Sequence, residues 1–115
     1  MHIAALTLSV LLALVMLGSG MMKLVRAPRI VTAMAAVHVT PSQMSVLGIV
    51  ELLATVGLIA GIWLPPIGLA AAIGTVLYFA GAILAHLRAH DPDRNGAIAF
   101  LALAAATLTL IAVAS

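Results

Sequence analysis

Four long runs of apolar residues dominate the chain, and short polar segments separate them. The runs cover residues 3–22, 44–64, 67–85 and 97–114. A helix of about 20 residues crosses a bilayer core about 30 Å thick, so each run is long enough to span a membrane. Because the connections are short, the pattern predicts an all-α, integral membrane four-helix bundle that forms a single domain over residues 1–115.

The segment between the first and second spans has a different pattern. Ile30, Met34 and Val37 recur at helical spacing, whereas Arg29 and His38 lie elsewhere around the same helix. An amphipathic helix of this kind lies along the membrane surface. We therefore expect a short interfacial helix between the first two spans.

Proline and small polar residues mark where the later helices begin. Residues 40–43, Thr-Pro-Ser-Gln, match a capping box with proline at the first helical position. Pro65-Pro66 predicts a tight turn before the third span, and proline is again well placed to start a helix. Asp91 and Asp93 place negative charge near the start of the fourth span, where the helix dipole favours it.

The composition fits a membrane protein and excludes other classes. Hydrophobic residues make up 65% of the chain and charged residues 7%, against about 45–50% and about 25% in soluble domains. Intrinsic disorder requires the opposite composition. The chain has no cysteine, which excludes disulfide and thiol-redox chemistry within it. The expected partner is the lipid bilayer, and no nucleic acid is expected.

The positions of the basic residues predict the orientation. The first and third predicted connections contain every Lys and Arg of the chain, namely Lys23, Arg26, Arg29, Arg88 and Arg94. Cytoplasmic loops of membrane proteins carry an excess of Lys and Arg. We therefore expect a bacterial inner (plasma) membrane protein with both termini outside the cytoplasm. Cleavage as a signal peptide is disfavoured, because the basic cluster follows the first run instead of preceding it.

Glu51 is the most informative residue, because it lies inside an apolar run. At 1.5 Å per residue it is about 10 Å from the start of the second span. A charge in mid-span costs about 3 kcal/mol or more and is normally turned toward a partner in the bundle. Lys23 and His86 are the candidate partners. Helical Cα–Cβ bonds tilt toward the N-terminus, so all three side chains are expected to meet near one depth, as a ligand pocket or as a structural lock.

Small and polar residues recur at steps of three and four on each predicted span, which suits close helix packing in membranes. On the four spans in turn, these predicted inner faces are Ser9, Ala13, Met16, Gly20 and Lys23; Gly48, Glu51 and Thr55; Gly68, Ala72, Thr75, Phe79, Ala82 and His86; and Asn95, Ala99, Ala102, Ala106 and Thr109.

Four glycines are predicted to serve helix packing: Gly20, Gly48, Gly57 and Gly61. The last two form a GxxxG motif, which is typical either of a dimer face or of close packing inside a bundle. Packing inside the bundle is the favoured interpretation.

Other polar side chains in the spans have simpler expected roles. Thr75 and Thr109 are expected to bond the carbonyl four residues earlier. Tyr78 could be a hydrogen-bond donor in a pocket, but packing in mid-span is the favoured interpretation.

The end of the third span carries histidines and aspartates that could bind a metal ion, but a metal site is the disfavoured interpretation. His86 and His90 lie one turn apart, beside Asp91 and Asp93, and paired histidines at this spacing can share a metal. Polar residues are expected in this connection in any case, and Asp91 is explained as part of a helix start. We expect no metal ligand here.

Three stretches resemble the DoxX-like family of small four-helix membrane proteins. The first is Gly20 followed by Lys23-Leu24, and the second is residues 48–58, which match the pattern G-x-x-E-L-x-x-x-x-G-L. The third is residues 82–87, with a histidine at the end of the span. The resemblance covers three of the four predicted spans.

The resemblance implies a role in membrane redox systems. Relatives in that family include the DoxD-type subunit associated with thiosulfate:quinone oxidoreductase and proteins linked to redox stress. The family's polar positions fall on Lys23, Glu51 and His86 in this chain. The first hypothesis is therefore an accessory membrane subunit of a redox system. Its inner-side polar pocket would hold a quinone headgroup or a similar small molecule, with Lys23 and His86 as donors and Glu51 as proton acceptor. The absence of cysteine departs from what a sulfur-handling enzyme would use and disfavours direct thiosulfate chemistry.

Two functions stay open on the sequence alone. One is this accessory redox subunit, with a quinone as candidate cofactor. The other is a non-catalytic assembly or chaperone-like protein whose Lys-Glu-His cluster only locks helix packing. A transporter is disfavoured, because the chain has no inverted repeat and no broken helix. Catalytic residues are not identified, and a protein partner, a homo-oligomer and a bound lipid all remain open.

Overall fold

Five α-helices form the described part of the chain, residues 2–90 and 95–114 of a computed structural model. They are α1 (His2–Leu24), α2 (Pro28–Ala36), α3 (Pro41–Ala60), α4 (Pro65–Arg88) and α5 (Asn95–Ala114). All but α2 are long and apolar enough to cross a membrane. The predicted all-α fold with four spans and a short helix between the first two is confirmed. The residues Asp91, Asp93 and Arg94, on which part of the sequence analysis rests, lie outside the described residues.

The predicted capping box starts α3. The backbone N–H of Gln43 donates to Thr40 Oγ1 at 3.2 Å, and the N–H of Thr40 donates to Gln43 Oε1 at 3.0 Å. Pro41 occupies the first helical position, where its missing N–H costs nothing. The helix therefore begins three residues before the apolar run, because its polar first turn serves the cap.

The connection between α3 and α4 differs from the predicted turn, although proline starts the next helix as expected. The turn is formed by residues 61–64, and Pro65 and Pro66 are the first residues of α4. Proline fits the first turn of a helix, where no intrahelical N–H bond is needed. The second span consequently ends at Ala60, and the apolar residues Ile62 and Trp63 belong to the turn.

The four long helices form a closed ring. α1 packs against α3 and α5, and α4 packs against the same two helices, while α2 contacts α1 and α3 at one end. The buried core at the centre consists of Leu12, Ala13, Met16, Leu58, Ala72, Phe79 and Ala104. Large apolar side chains cover the outside of the ring, as a lipid environment requires.

The chain turns sharply at both ends of α2. Arg26 before the helix and His38 after it have φ angles of 53° and 64°. Positive φ is uncommon for residues other than glycine. These two turns lay α2 across the end of the bundle, against α1 and α3.

The predicted inner faces fit the structure on α1 but not on α5. Every residue of the α1 face is buried, from Ser9 to Lys23. On α5 the buried residues are Ala104 and Thr107, whereas Asn95, Ala99, Ala102, Ala106 and Thr109 are exposed. The α5 prediction is wrong because alanines occur on every side of this helix. Small residues therefore do not show which face of the helix points into the bundle.

The two threonine predictions are confirmed. Thr75 Oγ1 donates to the Ala71 carbonyl at 2.8 Å, and Thr109 Oγ1 donates to the Ala105 carbonyl at 2.9 Å. Each hydroxyl satisfies its donor within its own helix, which avoids an unpaired polar group among apolar neighbours.

Candidate functional site

Two glycines bring α1 and α3 into backbone contact. A Cβ atom added to Gly20 would lie 2.9 Å from the Gly48 carbonyl oxygen, and one added to Gly48 would lie 2.9 Å from the Gly20 carbonyl oxygen. Only glycine permits so close an approach in both helices. The crossing places Lys23 and Glu51 next to it, one turn further along each helix.

Lys23 and Glu51 form an ion pair inside the bundle. Lys23 Nζ lies 2.5 Å from Glu51 Oε1, and it also donates to Ser19 Oγ at 2.7 Å. Glu51 is 0% exposed and Lys23 is 8% exposed. Because the two helices run in opposite directions, the N-terminal tilt of each side chain points it at the other.

Tyr78 on α4 completes the cluster. Its hydroxyl donates to Glu51 Oε1, the oxygen that also pairs with Lys23. The favoured interpretation that Tyr78 only packs in mid-span is therefore wrong. A signal for this contact was present, because Tyr78, Ala82 and His86 follow one another at steps of four on one face of α4. Phe79 also fits the spacing, because it lies three residues before Ala82, so the pattern alone does not select Tyr78 for this face.

The Glu51 carboxylate is satisfied on one side only. Oε1 accepts from Lys23 and Tyr78, whereas the buried Oε2 has no hydrogen-bond partner among the described residues. A buried charge needs partners for all of its lone pairs to offset the loss of water. Within the part of the chain that the structure describes, the carboxylate of Glu51 is therefore only partly satisfied.

A cavity of about 560 Å³ lies beside the cluster, at the end of the bundle where α2 is found. Its polar lining comes from Ser19, Lys23, Tyr78 and His86, and its walls are mainly apolar. Among the described residues, Glu51 lies behind Lys23 and Tyr78 and does not line the cavity. The structure therefore places the carboxylate of Glu51 behind a layer of polar side chains that faces the cavity.

The apolar walls come from α2, α3, α4 and α5, whereas α1 contributes the polar Ser19 and Lys23. α2 and the turn after it contribute Met34, Val37 and Val39, and Leu47, Leu77, Phe79 and Phe100 complete the wall. A smaller cavity of about 250 Å³ lies at the opposite end, near His2 and Ile62, away from the charged cluster.

His86 lies on the same face of α4 as Tyr78, two turns closer to the end of the helix. It is half-buried and lines the cavity with Lys23. The sequence predicts that Lys23, Glu51 and His86 meet. The structure joins the first two in an ion pair and places His86 at the cavity wall.

The other two glycines pack α3 against α4. A Cβ atom on Gly57 would lie 2.9 Å from Ala71 Cβ, and one on Gly61 would lie 2.2 Å from Gly68 Cα. Both glycines of the GxxxG motif therefore face a neighbouring helix of the same chain.

The described residues hold no cluster of three or more His, Cys, Asp or Glu side chains that could bind a metal ion. Two of the residues weighed for such a site, Asp91 and Asp93, lie outside the described residues.

These features define a class: a four-span helical membrane protein with a buried Lys–Glu–Tyr cluster beside an apolar cavity. The chain belongs to the DoxX-like family, whose family model matches residues 7–114. Comparisons with curated proteins and with solved structures found no match.

Proposed function

We propose that this protein is an accessory membrane subunit of a redox system and that its cavity binds the headgroup of a quinone. The observation that carries the proposal is the lining of the cavity, where Lys23, Tyr78 and His86 project from mainly apolar walls. Small-molecule sites typically combine an apolar cavity of about 300–1,000 Å³ with a few polar groups that fix the orientation of the ligand.

The residues present fit a quinone headgroup. Its carbonyl oxygens need hydrogen-bond donors, which the Lys23 ammonium and the His86 ring can provide. Its ring and apolar tail need walls such as those formed by Phe79 and Phe100. The carboxylate of Glu51, placed behind Lys23, offsets the cost of keeping an ammonium in an apolar region.

The chemistry of the chain favours an accessory role. A bound quinone supplies two-electron chemistry, and the chain's own residues bind it, orient it and hold protons near it at Lys23 Nζ and Tyr78 Oη. The chain has no cysteine, so no dithiol of its own can pass electrons to such a ligand. We therefore assign the electron source to a partner protein.

The assembly role with a purely structural cluster is the alternative. In that case Lys23, Glu51 and Tyr78 would hold three helices in register, and the cavity would bind nothing. The position of Lys23 and Tyr78 at the cavity wall supports the ligand site instead.

Filling the cavity tests the proposal. Ala82 lines the cavity, whereas Ala80, two residues earlier on the same helix, is exposed on the outside. We expect Ala82→Phe to lose quinone, because the new ring occupies its space, while Ala80→Phe keeps it. The measurement is the quinone content of protein purified in nanodiscs, extracted and quantified by mass spectrometry. Equal quinone content in the two variants, or none in the wild type after loading, would reject the quinone site.

The orientation in the membrane is a further part of the proposal. The C-terminal ends of α1 and α4 both reach the cavity covered by α2, so Lys23, Arg26, Arg29 and Arg88 share one end of the bundle. We propose that this end faces the cytoplasm of a bacterial cell, because basic residues are enriched there.

Reporter fusions test this orientation. A phosphatase that is active only outside the cytoplasm should be active when fused after Ser115, and a green fluorescent protein fused there should be dark. Fusions after His90 provide the control and should give the opposite result. Fluorescence from the fusion at Ser115 would reverse the proposed topology.

A further inference from the structure

We infer that the cavity recognises a hydroxyl group, and that it therefore binds a quinol more tightly than the corresponding quinone. The inference rests on the proposed function for the quinone part of the ligand. Its own basis is the direction of the hydrogen bonds that Tyr78 and Lys23 make within the cluster.

Tyr78 presents an acceptor to the cavity. A tyrosine hydroxyl has one hydrogen and an oxygen that can also accept. That hydrogen is donated to Glu51 Oε1, behind the cavity wall. Donation to a carboxylate polarises the hydroxyl and makes its oxygen a better acceptor. A ligand that meets Tyr78 must therefore bring a donor.

Lys23 presents a donor beside that acceptor. Its ammonium has three N–H groups, and its contacts within the described residues go to Ser19 Oγ and Glu51 Oε1. Lys23 Nζ and Tyr78 Oη contact the same carboxylate oxygen, so they lie within two hydrogen-bond lengths of each other, about 6 Å. One ligand oxygen can reach both.

A hydroxyl group matches this pair of atoms and a carbonyl does not. The hydroxyl accepts from Lys23 and donates to Tyr78, whereas a quinone carbonyl accepts from Lys23 and leaves the Tyr78 oxygen facing another acceptor. One hydrogen bond gained or lost near a charged group corresponds to about a tenfold change in affinity. A long-chain alcohol of lipid origin carries the same hydroxyl chemistry, so the experiment must separate the two sources.

The test compares four ligands on the purified wild-type protein by anaerobic calorimetry. They are a short-chain benzoquinone, its quinol, the dimethyl ether of that quinol, and dodecanol. The dimethyl ether has the shape of the quinol but cannot donate. We expect the quinol to bind about tenfold more tightly than the quinone and than the ether.

Two variants test whether the cluster of Lys23, Glu51 and Tyr78 causes the preference for the quinol. Tyr78→Phe removes the acceptor and should abolish the preference for the quinol. Glu51→Gln should shift the preference toward the quinone, because a glutamine amide can donate to Tyr78 and leave its hydroxyl free to donate into the cavity. Glu51 thus acts as a positioning residue, and a purely structural role would not change the order of the ligands.

The outcomes separate this inference from the proposed function. Equal binding of quinol and quinone, or of quinol and its ether, to the wild type overturns the inference and leaves the quinone site intact. An unchanged preference for the quinol in Tyr78→Phe also overturns it. Binding of dodecanol with no binding of either ring compound supports recognition of a hydroxyl and rejects the quinone function. Because the four ligands are compared on the wild-type protein, recognition of a hydroxyl group is tested even if a variant fails to fold.

Discussion

Lys23→Met should destabilise the bundle by about 3–5 kcal/mol, because it leaves the Glu51 carboxylate buried without its cation. Glu51→Gln should cost less, since the glutamine amide can still form a hydrogen bond with Tyr78 and the lysine can extend toward the membrane surface. The measurement is the free energy of unfolding in mixed micelles. Arg29→Met, an exposed basic residue on α2, is the matched control and should leave stability unchanged. A loss from Lys23→Met no greater than that of the control would contradict an energetically important ion pair.

The double substitution Lys23→Met with Glu51→Leu separates a lock from a ligand site. Replacing a whole buried ion pair by apolar residues is often neutral, so both interpretations predict that stability returns. A purely structural lock predicts that biological activity returns with it. The proposed site predicts that quinone binding stays lost, because the donor at the cavity wall is gone. Full activity in the folded double variant would favour the assembly role.

The second large effect is expected at the contact between α3 and α4. Gly61→Ala would place its new Cβ 2.2 Å from Gly68 Cα and 2.5 Å from Gly68 N. These are backbone atoms, which cannot relieve the clash by a change of rotamer, so the two helices must move apart. We expect a loss of about 3 kcal/mol or more, at or beyond the upper end for overpacked sites, measured by unfolding and by the yield of monodisperse protein.

Gly74→Ala is the control for that substitution. Gly74 lies on α4 with nothing within 4 Å of an added Cβ, and alanine favours a helix over glycine by about 1 kcal/mol. This variant should be as stable as the wild type or slightly more stable. If Gly61→Ala behaves in the same way, the close approach at Gly61 is not needed for folding.

The sequence predicted the four spans because each apolar run, as a helix, has about the length needed to cross a bilayer core. It was less successful at their ends. Pro65 and Pro66 are compatible with a turn or with the first turn of a helix, and the choice depends on how residues 61–64 pack against α4. The Thr40 cap was predictable, because its hydrogen bonds are local and each residue involved has a distinctive preference.

The candidate site was only partly predictable. Glu51 and Lys23 stand out because charges are rare in apolar spans, and their meeting follows from the tilt of side chains in antiparallel helices. The hydrogen bond of Tyr78 was missed, since a tyrosine in mid-span can either pack or form a hydrogen bond. In addition, a shift of one residue along the helix moves a side chain to a different face. The inner face of α5 was missed for a related reason, because its alanines carry no directional signal.

The position of the ion pair along the chain has a consequence for membrane insertion. Synthesis proceeds from the N-terminus, so α1 with Lys23 enters the bilayer before α3 brings in Glu51. The cost of inserting a carboxylate, about 3 kcal/mol or more, can therefore be offset as soon as α3 meets α1 at the Gly20–Gly48 crossing. Tyr78 follows with α4, so the charge is already neutralised when the ring of helices closes.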